Sequence, residues 1–355
     1  MPAGNDLLLA AAIAVAVIAV GAGIAWHNNK TVQVDRQFSY TAEPANQLSF
    51  LSNWDGPAYL NIARIGYPTY VEASLFPFYP MVVYAVNRLI PSPLDSALLV
   101  SWLSFAGAIY FYIKIARKLL DARDAASALQ AATFLVLFPT AVFFLATYTE
   151  SLFAMLSLGA IYFALEKRWL WASLLLMLGT ATHVTGVFVV VLVGLVLLEQ
   201  GEKIRHAVAS VIIGSAGLLG YTFYLYVHLH DAFAFLRSQT HIDEWMQHGF
   251  GYLISVTNYF NLTFIALLIL SAWYWWRRGR RSFSVYSALF LLIPIAGRQY
   301  GGFNRYVLMA FPVQLMLYGF FKNRRAAFPY VAALMAVIWT YFLLQYAGGY
   351  IGSGS

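Results

Sequence analysis

The stretch "LLLAAAIAVAVIAVGAGIAW", Leu7 to Trp26, contains no charged side chain and decides how the rest of the chain is read. A helical apolar run of about 20 residues matches the hydrocarbon thickness of a bilayer, so the run reads as a membrane span. The residues ahead of it, "MPAGND", hold no Lys or Arg, and the run outlasts the roughly 7 to 15 apolar residues of a cleaved signal. It is therefore expected to be a retained helix. The whole chain follows suit: of 355 residues 61% are hydrophobic and only 10% charged, and the mean hydropathy is +0.67. Such a composition belongs to a polytopic, all-α membrane protein.

Ten further apolar blocks follow, at 95–117, 126–146, 150–166, 169–184, 187–199, 206–228, 259–276, 283–297, 305–321 and 328–347. They predict a single integral-membrane unit over 1–351 with about eleven spans, followed by a linker-like "GSGS" at 352–355. Residues 27–94 form a first long loop and 229–258 a second. Within the first loop, "FPFYPMVVYAVNRLI" at 76–90 is short for a span and opens with prolines, so it is expected to be re-entrant or interfacial.

Charge then orients the chain. With a cytoplasmic N-terminus, one side receives 15 basic residues, from Lys114, Arg117 and Lys118 through "RRGRR" at 277–281 to Arg324 and Arg325, against 7 on the other. That asymmetry follows the positive-inside rule and puts both long loops outside the cytoplasm, in a cell or ER-type membrane. It also explains the net charge of +7 without nucleic acid, for which there is no basic, aromatic-interleaved soluble module. Cysteine is absent, which excludes disulfides, thiolate metal sites and cysteine nucleophiles. No GxxxxGK[ST] motif occurs, and the short inner loops leave no room for a nucleotide-binding domain.

The groups able to do chemistry gather on the outer side. Asp55, in "SNWDGPAYLNIARIGYP" at 52–68, precedes a short half-apolar helix. An Asp before Gly-Pro is a good helix N-cap, and a capping carboxylate at the mouth of an apolar cavity is also a positioned base. Glu150 is the second catalytic candidate: it opens an apolar helix, where the helix dipole favours it and Thr149 can cap, but an ionisable group at the outer membrane boundary, facing aromatics, tends to be functional. Arg305, Arg298 and His183 are the cationic candidates for a phosphate; a forked guanidinium is the strongest such group. Arg305 has a bland alternative, snorkelling to the headgroups, and a lone His183 is more often a satisfied polar group. The "THVTG" break around His183 is expected to line a cavity, because polar groups at that depth are otherwise costly. Trp54, Tyr59, Tyr67, Tyr79, Tyr148, Gln239 and Tyr306 complete the candidate substrate-binding set. The second loop carries His228, His230, Asp231, His241, Asp243, Glu244 and His248. It lacks HExxH or comparable spacing, so no metal or other cofactor is indicated, and 231–245 reads as an amphipathic surface helix.

In this order, "WDGPAYLNIARIGYP", "FPFYP", "YTESLFAMLSLGAIYFA", "GTATHVTG", "HDAFAFLRSQ" and "NRYVLMAFP" resemble the PIG-V type of integral-membrane mannosyltransferase, over most of residues 50–315. Each motif is weak alone; their order and spacing are more specific. The resemblance implies the GT-C superfamily, a multi-helix bundle with interfacial helices in its first outer loop, and a polyprenyl-phosphate sugar donor such as dolichyl-phosphate mannose. It implies transfer to a lipid or glycan hydroxyl by an inverting hexosyltransferase, class 2.4.1, with the catalytic aspartate mapping onto Asp55. One departure stands out: the resemblance would put Arg-Pro where this chain has His183-Val184. Two other classes remain. A transporter or flippase of a lipid-linked sugar would also break its helices with polar groups, although the two halves show no internal repeat. A non-catalytic assembly subunit would leave Asp55 and Glu150 replaceable.

Overall fold

A computed structural model describes residues 3–31, 47–67, 69–243, 256–293 and 303–349. Among these the architecture is all-α. The helices are α1 (Ala3–Thr31), α2 (Asp55–Ile65), α3 (Phe78–Asn87), α4 (Pro93–Leu120), α5 (Ala125–Val136), α6 (Glu150–Leu165), α7 (Trp169–Thr180) and α8 (Gly186–Glu199). They continue with α9 (Ile204–Leu229), α10 (Ala234–Asp243), α11 (Val256–Arg277), α12 (Arg281–Leu289), α13 (Phe303–Val307), α14 (Phe311–Phe321) and α15 (Phe328–Ala347).

Four of these, within α1, α4, α9 and α15, are long and apolar enough to cross a membrane by length and composition. The helices α5, α6, α7, α8 and α14 are shorter apolar segments. The expected tally of about eleven spans is thus not established by helix length. Two expected spans are also interrupted. The block at 126–146 stops helical pairing at Val136 and resumes as a 3-10 turn, Ala141–Phe144, because Pro139 bars an α conformation at Phe138. The block at 305–321 breaks between α13 and α14, where Pro312 sits in the first turn of the new helix and cannot continue an older one. The segment at 76–90 forms α3, ten residues long, consistent with the short helix expected there.

α4 packs along α1 and α6, α7 lies between α6 and α9, α8 against α9 and α12, and α11 against α12 and α14. Charged and polar ties collect the helix ends. Asp6 of α1 pairs with Arg117 (2.6 Å) and Lys114 (3.5 Å) of α4. Lys118 meets Glu166 after α6 at 2.5 Å. Glu199 of α8 accepts from the amide of Ser282 at the start of α12 (2.6 Å). Lys322 after α14 donates to the Leu120 carbonyl (2.9 Å). These contacts and the basic residues beside them define one end of the bundle. α2, the α7–α8 turn, the start of α6 and the end of α15 lie at the other.

Close helix approach sets the packing of the α7–α9 pair. Thr180 Oγ1 donates to the Gly214 carbonyl at 2.6 Å, and a Cβ on Gly217 would overlap the Met177 carbonyl oxygen. A Cβ on Gly220, one turn on, would meet nothing within 4 Å.

At the far end α10 is strapped to the first loop. Asp231 Oδ2 accepts from Tyr70 Oη (2.6 Å) and Arg237 Nη1 (2.7 Å), while Phe76 packs edge-on against Phe235 and tilted against Tyr221. The helix expected at 231–245 is thus found at Ala234–Asp243; Glu244, Trp245 and His248 lie outside the described residues, as do the side chains of Gln239, His241, Asp243 and Arg298. The hydrogen bond from Tyr70, helped by the Phe233 amide and Arg237, holds the Asp231 carboxyl below the usual aspartate range.

Two outcomes follow from these contacts. Gly217→Ala is expected to lower thermal stability by about 1–3 kcal/mol because a backbone oxygen must move, whereas Gly220→Ala leaves the melting temperature unchanged. A carboxyl depressed in the folded state stabilises at neutral pH and loses its contribution as pH falls through its lowered value. Protection factors in 234–238, taken relative to the intrinsic exchange rate at each pH, should therefore fall on acidification below the ordinary aspartate range, and the Tyr70→Phe protein should show that lower protection already at neutral pH.

Candidate functional site

The sequence "SNWDG" has turn-forming residues on both sides of a bulky aromatic. Its backbone makes a tight turn in which the Gly56 amide donates to the Asn53 carbonyl at 3.1 Å. Trp54 carries φ 58° and ψ −110°, values near the first central position of a type II′ turn, where glycine is the ordinary occupant. A strained backbone of this kind persists only where its surroundings over-determine it.

Two tyrosines do so. Tyr148 Oη donates to the Asn53 carbonyl (3.0 Å) and accepts from the Asp55 amide (3.1 Å). Tyr346, from the end of α15, accepts from the Asn53 amide (3.2 Å) and donates to the Leu51 carbonyl (3.3 Å). The Asn53 side chain donates in turn to the Tyr346 carbonyl at 2.8 Å. Thr147 closes the other side through its amide to Leu51 (3.0 Å) and its hydroxyl to Ser52 Oγ (2.8 Å). A side chain on Gly56 would collide with both of those hydroxyls, so glycine is required there for close approach.

The frame delivers Asp55 as the first residue of α2. It is not the N-cap that the sequence suggested: Trp54 holds that position and no side chain caps the helix. The carboxylate points instead to Arg305, whose Nη1 donates to Asp55 Oδ2 at 2.6 Å. Arg305 Nε lies 3.1 Å from Glu150 Oε1. That second pair is close enough to be ionic, but the N–H is not aimed at the oxygen, and among the described residues neither atom has a hydrogen-bond partner. Thr149 holds the N-cap position of α6 as expected but makes no side-chain capping bond; its hydroxyl turns to Glu150 Oε2 at 3.3 Å. Asp55 turns from the capping role to the guanidinium because a buried cation left unpaired costs far more than an uncapped helix, while Glu150 keeps its place in the first turn of α6 and meets the same guanidinium.

Arg305 is itself enclosed. Its side chain is 9% exposed, against 21% for Asp55 and 1% for Glu150. The rings of Tyr148 and Tyr306 lie 5.4 and 5.6 Å from the guanidinium carbon, which adds cation–π attraction. His183 stacks on Phe153 and meets Tyr306 edge-on at 5.5 Å. Its Nδ1 accepts from the Thr185 amide at 3.2 Å, so the ring is the neutral tautomer presenting Nε2–H, a hydrogen-bond donor and not a cation. Tyr59 packs edge-on against Tyr79 (5.4 Å) and Tyr148 (6.2 Å), and Tyr79 bonds Ser101 at 3.0 Å.

The structure thus unites Asp55, Glu150, Arg305, Tyr148 and Tyr306, with His183 beside Tyr306 and with Tyr59 and Tyr79 against Tyr148. Trp54 is half-buried against the same core. Tyr67 goes elsewhere: it bonds the Leu75 carbonyl and packs on Tyr221 and Tyr224 in the α10 cluster. Sequence reading missed Asn53 and Tyr346. The turn-forming residues around Trp54 held a signal for the first. Tyr346 had none, since a tyrosine ending an apolar helix reads as an interfacial aromatic. Among the described residues no three His, Asp or Glu side chains come together in a way suited to a metal ion.

The sequence profile described as Mannosyltransferase (PIG-V) matches residues 29–275, more than half of the chain. The chain belongs to that family. Membership and the apolar helices make it a membrane protein of a glycosyltransferase family. No curated protein matches it by sequence. Among solved structures it is similar to the crystal structure of the Archaeoglobus fulgidus oligosaccharyltransferase complex with zinc and sulfate, at a TM-score of 0.47 and 14% identity over 95% of this chain and 53% of that one. The PIG-V chain therefore spans about half the length of that protein. Asp55 and Glu150 lie within the matched segment, whereas Arg305 lies beyond it.

Tyr346→Phe leaves the buried Asn53 amide without its acceptor, which is expected to cost about 1–3 kcal/mol. Chemical denaturation of the purified protein reads this, and Tyr330→Phe, at a site 79% exposed, should show no comparable loss.

Proposed function

We propose that the chain transfers a hexose, most simply mannose, from a polyprenyl-phosphate donor to a lipid or glycan hydroxyl, with Asp55 as general base. The observation that carries the reading is the Arg305 guanidinium set beside two acidic side chains of unlike exposure. A guanidinium suits the phosphate, and the more accessible carboxylate suits the acceptor proton.

In this reading the acceptor O–H gives its proton to the Asp55 carboxylate as its oxygen bonds the anomeric carbon. The anomeric carbon–oxygen bond breaks on the opposite face, and its electron pair leaves with the lipid phosphate. Arg305 offsets the charge that grows on that phosphate, in a site too enclosed for water to do so. One base suffices, so Glu150 need not act as a second catalytic carboxylate as in a hydrolase; it holds Arg305. The Nε2–H of His183 and the hydroxyls of Tyr59 and Tyr306 are donors for sugar or phosphate oxygens. A β-linked donor would yield an α-linked product.

The site is at the end of the bundle opposite the basic residues, which supports an extracytoplasmic or lumenal face. α7 and α8, with 12 and 14 residues, rise only about 18 and 21 Å, less than the roughly 30 Å of a hydrocarbon core. With their other ends among the basic residues, the turn carrying His183 would be recessed below the far headgroups, where a lipid phosphate reaches it without leaving the membrane.

Purified protein given polyprenyl-phosphate mannose and a panel of acceptors should form a mannosylated product. Asp55→Asn is expected to slow transfer by about 100-fold or more, and Arg305→Lys, which keeps the charge but loses the fork, by at least about tenfold. Full activity in Asp55→Asn would remove that residue from the role of base. Counterflow of the sugar lipid in proteoliposomes with no covalent product would favour a flippase.

A further inference from the structure

The two carboxylates occupy Arg305 in a particular way. A guanidinium grips a phosphate with two parallel N–H bonds, either along the Nε–Nη2 edge or along the Nη1–Nη2 edge. Here Nε faces Glu150 at 3.1 Å and Nη1 is bonded to Asp55 at 2.6 Å. A phosphate that approached either edge would come against a carboxylate and would compete with it for the guanidinium.

Which one moves is decided by the surroundings. Glu150 is 1% exposed, at the rigid start of α6, and releasing it would strand a buried charge. Asp55 is 21% exposed, and its backbone is held independently by the bond from its amide to Tyr148. Its carboxylate can turn away by side-chain rotation while α2 stays in place. Charge points the same way: a phosphate added without releasing either would gather three acidic groups around a single guanidinium.

Resting on the lipid-phosphate reading, we propose that Arg305 is a clamp that holds Asp55 out of action, and that a lipid phosphate binds by displacing it. Donor occupancy then frees the base. Asp55 accepts a proton only when a sugar phosphate is present, and the carboxylate that performs catalysis is a competitor of the donor for the same guanidinium. Glu150 keeps its place through the exchange and is a positioning residue for Arg305.

The consequence is counterintuitive: a variant that cannot catalyse should bind the lipid phosphate better. Equilibrium binding to the full chain in nanodiscs is measured with polyprenyl phosphate, with inorganic phosphate, and with the neutral polyprenol. Asp55→Asn is expected to bind polyprenyl phosphate about tenfold tighter than the wild type, the scale of one charge-assisted hydrogen bond no longer exchanged, with polyprenol affinity unchanged. If inorganic phosphate also tightens, the anion alone works the clamp; if only the lipid phosphate does, the chain is needed to deliver it. Both results support the clamp. Equal or weaker binding of polyprenyl phosphate by a folded Asp55→Asn overturns it while leaving the donor class intact. A wild type that binds polyprenyl phosphate no better than polyprenol overturns both. Should the variant not fold, the wild type is probed by carbodiimide labelling of carboxyls, read by peptide mass spectrometry. Labelling of Asp55 should rise on adding polyprenyl phosphate, since a base open to an acceptor hydroxyl is open to a small reagent. Unchanged or reduced labelling contradicts the proposal.

Discussion

One buried guanidinium organises this end of the molecule. Arg305, 9% exposed, requires anionic partners where it sits, and it draws them from segments 250 and 155 positions away, Asp55 and Glu150. Neither is a local contact, so the pairings tie the first loop, the start of α6 and the α13 turn into one unit. The strained backbone at Trp54 belongs to the same arrangement. Without Tyr148 and Tyr346 to hold the Asn53–Gly56 turn, nothing would fix the direction in which Asp55 leaves the chain.

The bundle separates two kinds of electrostatic task. At the basic end the pairs are ties between helix termini, such as Asp6 with Arg117 and the partly exposed Lys118 with Glu166; the exposed kind contributes modestly and is screened by salt. At the opposite end the charges are few and enclosed by aromatic rings, and among the described residues Glu150 Oε1 and Arg305 Nε lack hydrogen-bond partners. An incompletely satisfied buried network is a poor way to stabilise a fold.

Much of this was legible in the sequence, for identifiable reasons. Apolar block length gave the helical class and most helix positions, and the isolated charges of Asp55, Glu150 and Arg305 drew notice because a carboxylate or guanidinium beside apolar blocks is expensive. What sequence could not supply was pairing. Local rules offer Asp55 a capping role before Gly-Pro and Glu150 the dipole at a helix start after Thr149; the long-range partner overrides the first and adds to the second. Proline explains the broken helices at 137–140 and 308–310, yet apolar blocks run through both places without a gap, so composition alone joins them. Tyr67, a substrate-binding candidate from sequence, lies outside the site. α2 carries it instead to the α10 cluster, a distinction that depends on where the helix ends, at Gly66.

The central claim is inverting sugar transfer from a lipid phosphate, by one base and one guanidinium. The most direct test is the anomeric configuration of the transferred sugar. It is read from the one-bond carbon–hydrogen coupling after the protein is incubated with β-linked polyprenyl-phosphate [13C]mannose and an extract of native membranes. The account predicts labelled product with the coupling of an α-mannoside. A β-mannoside, or no labelled product at all, would contradict it.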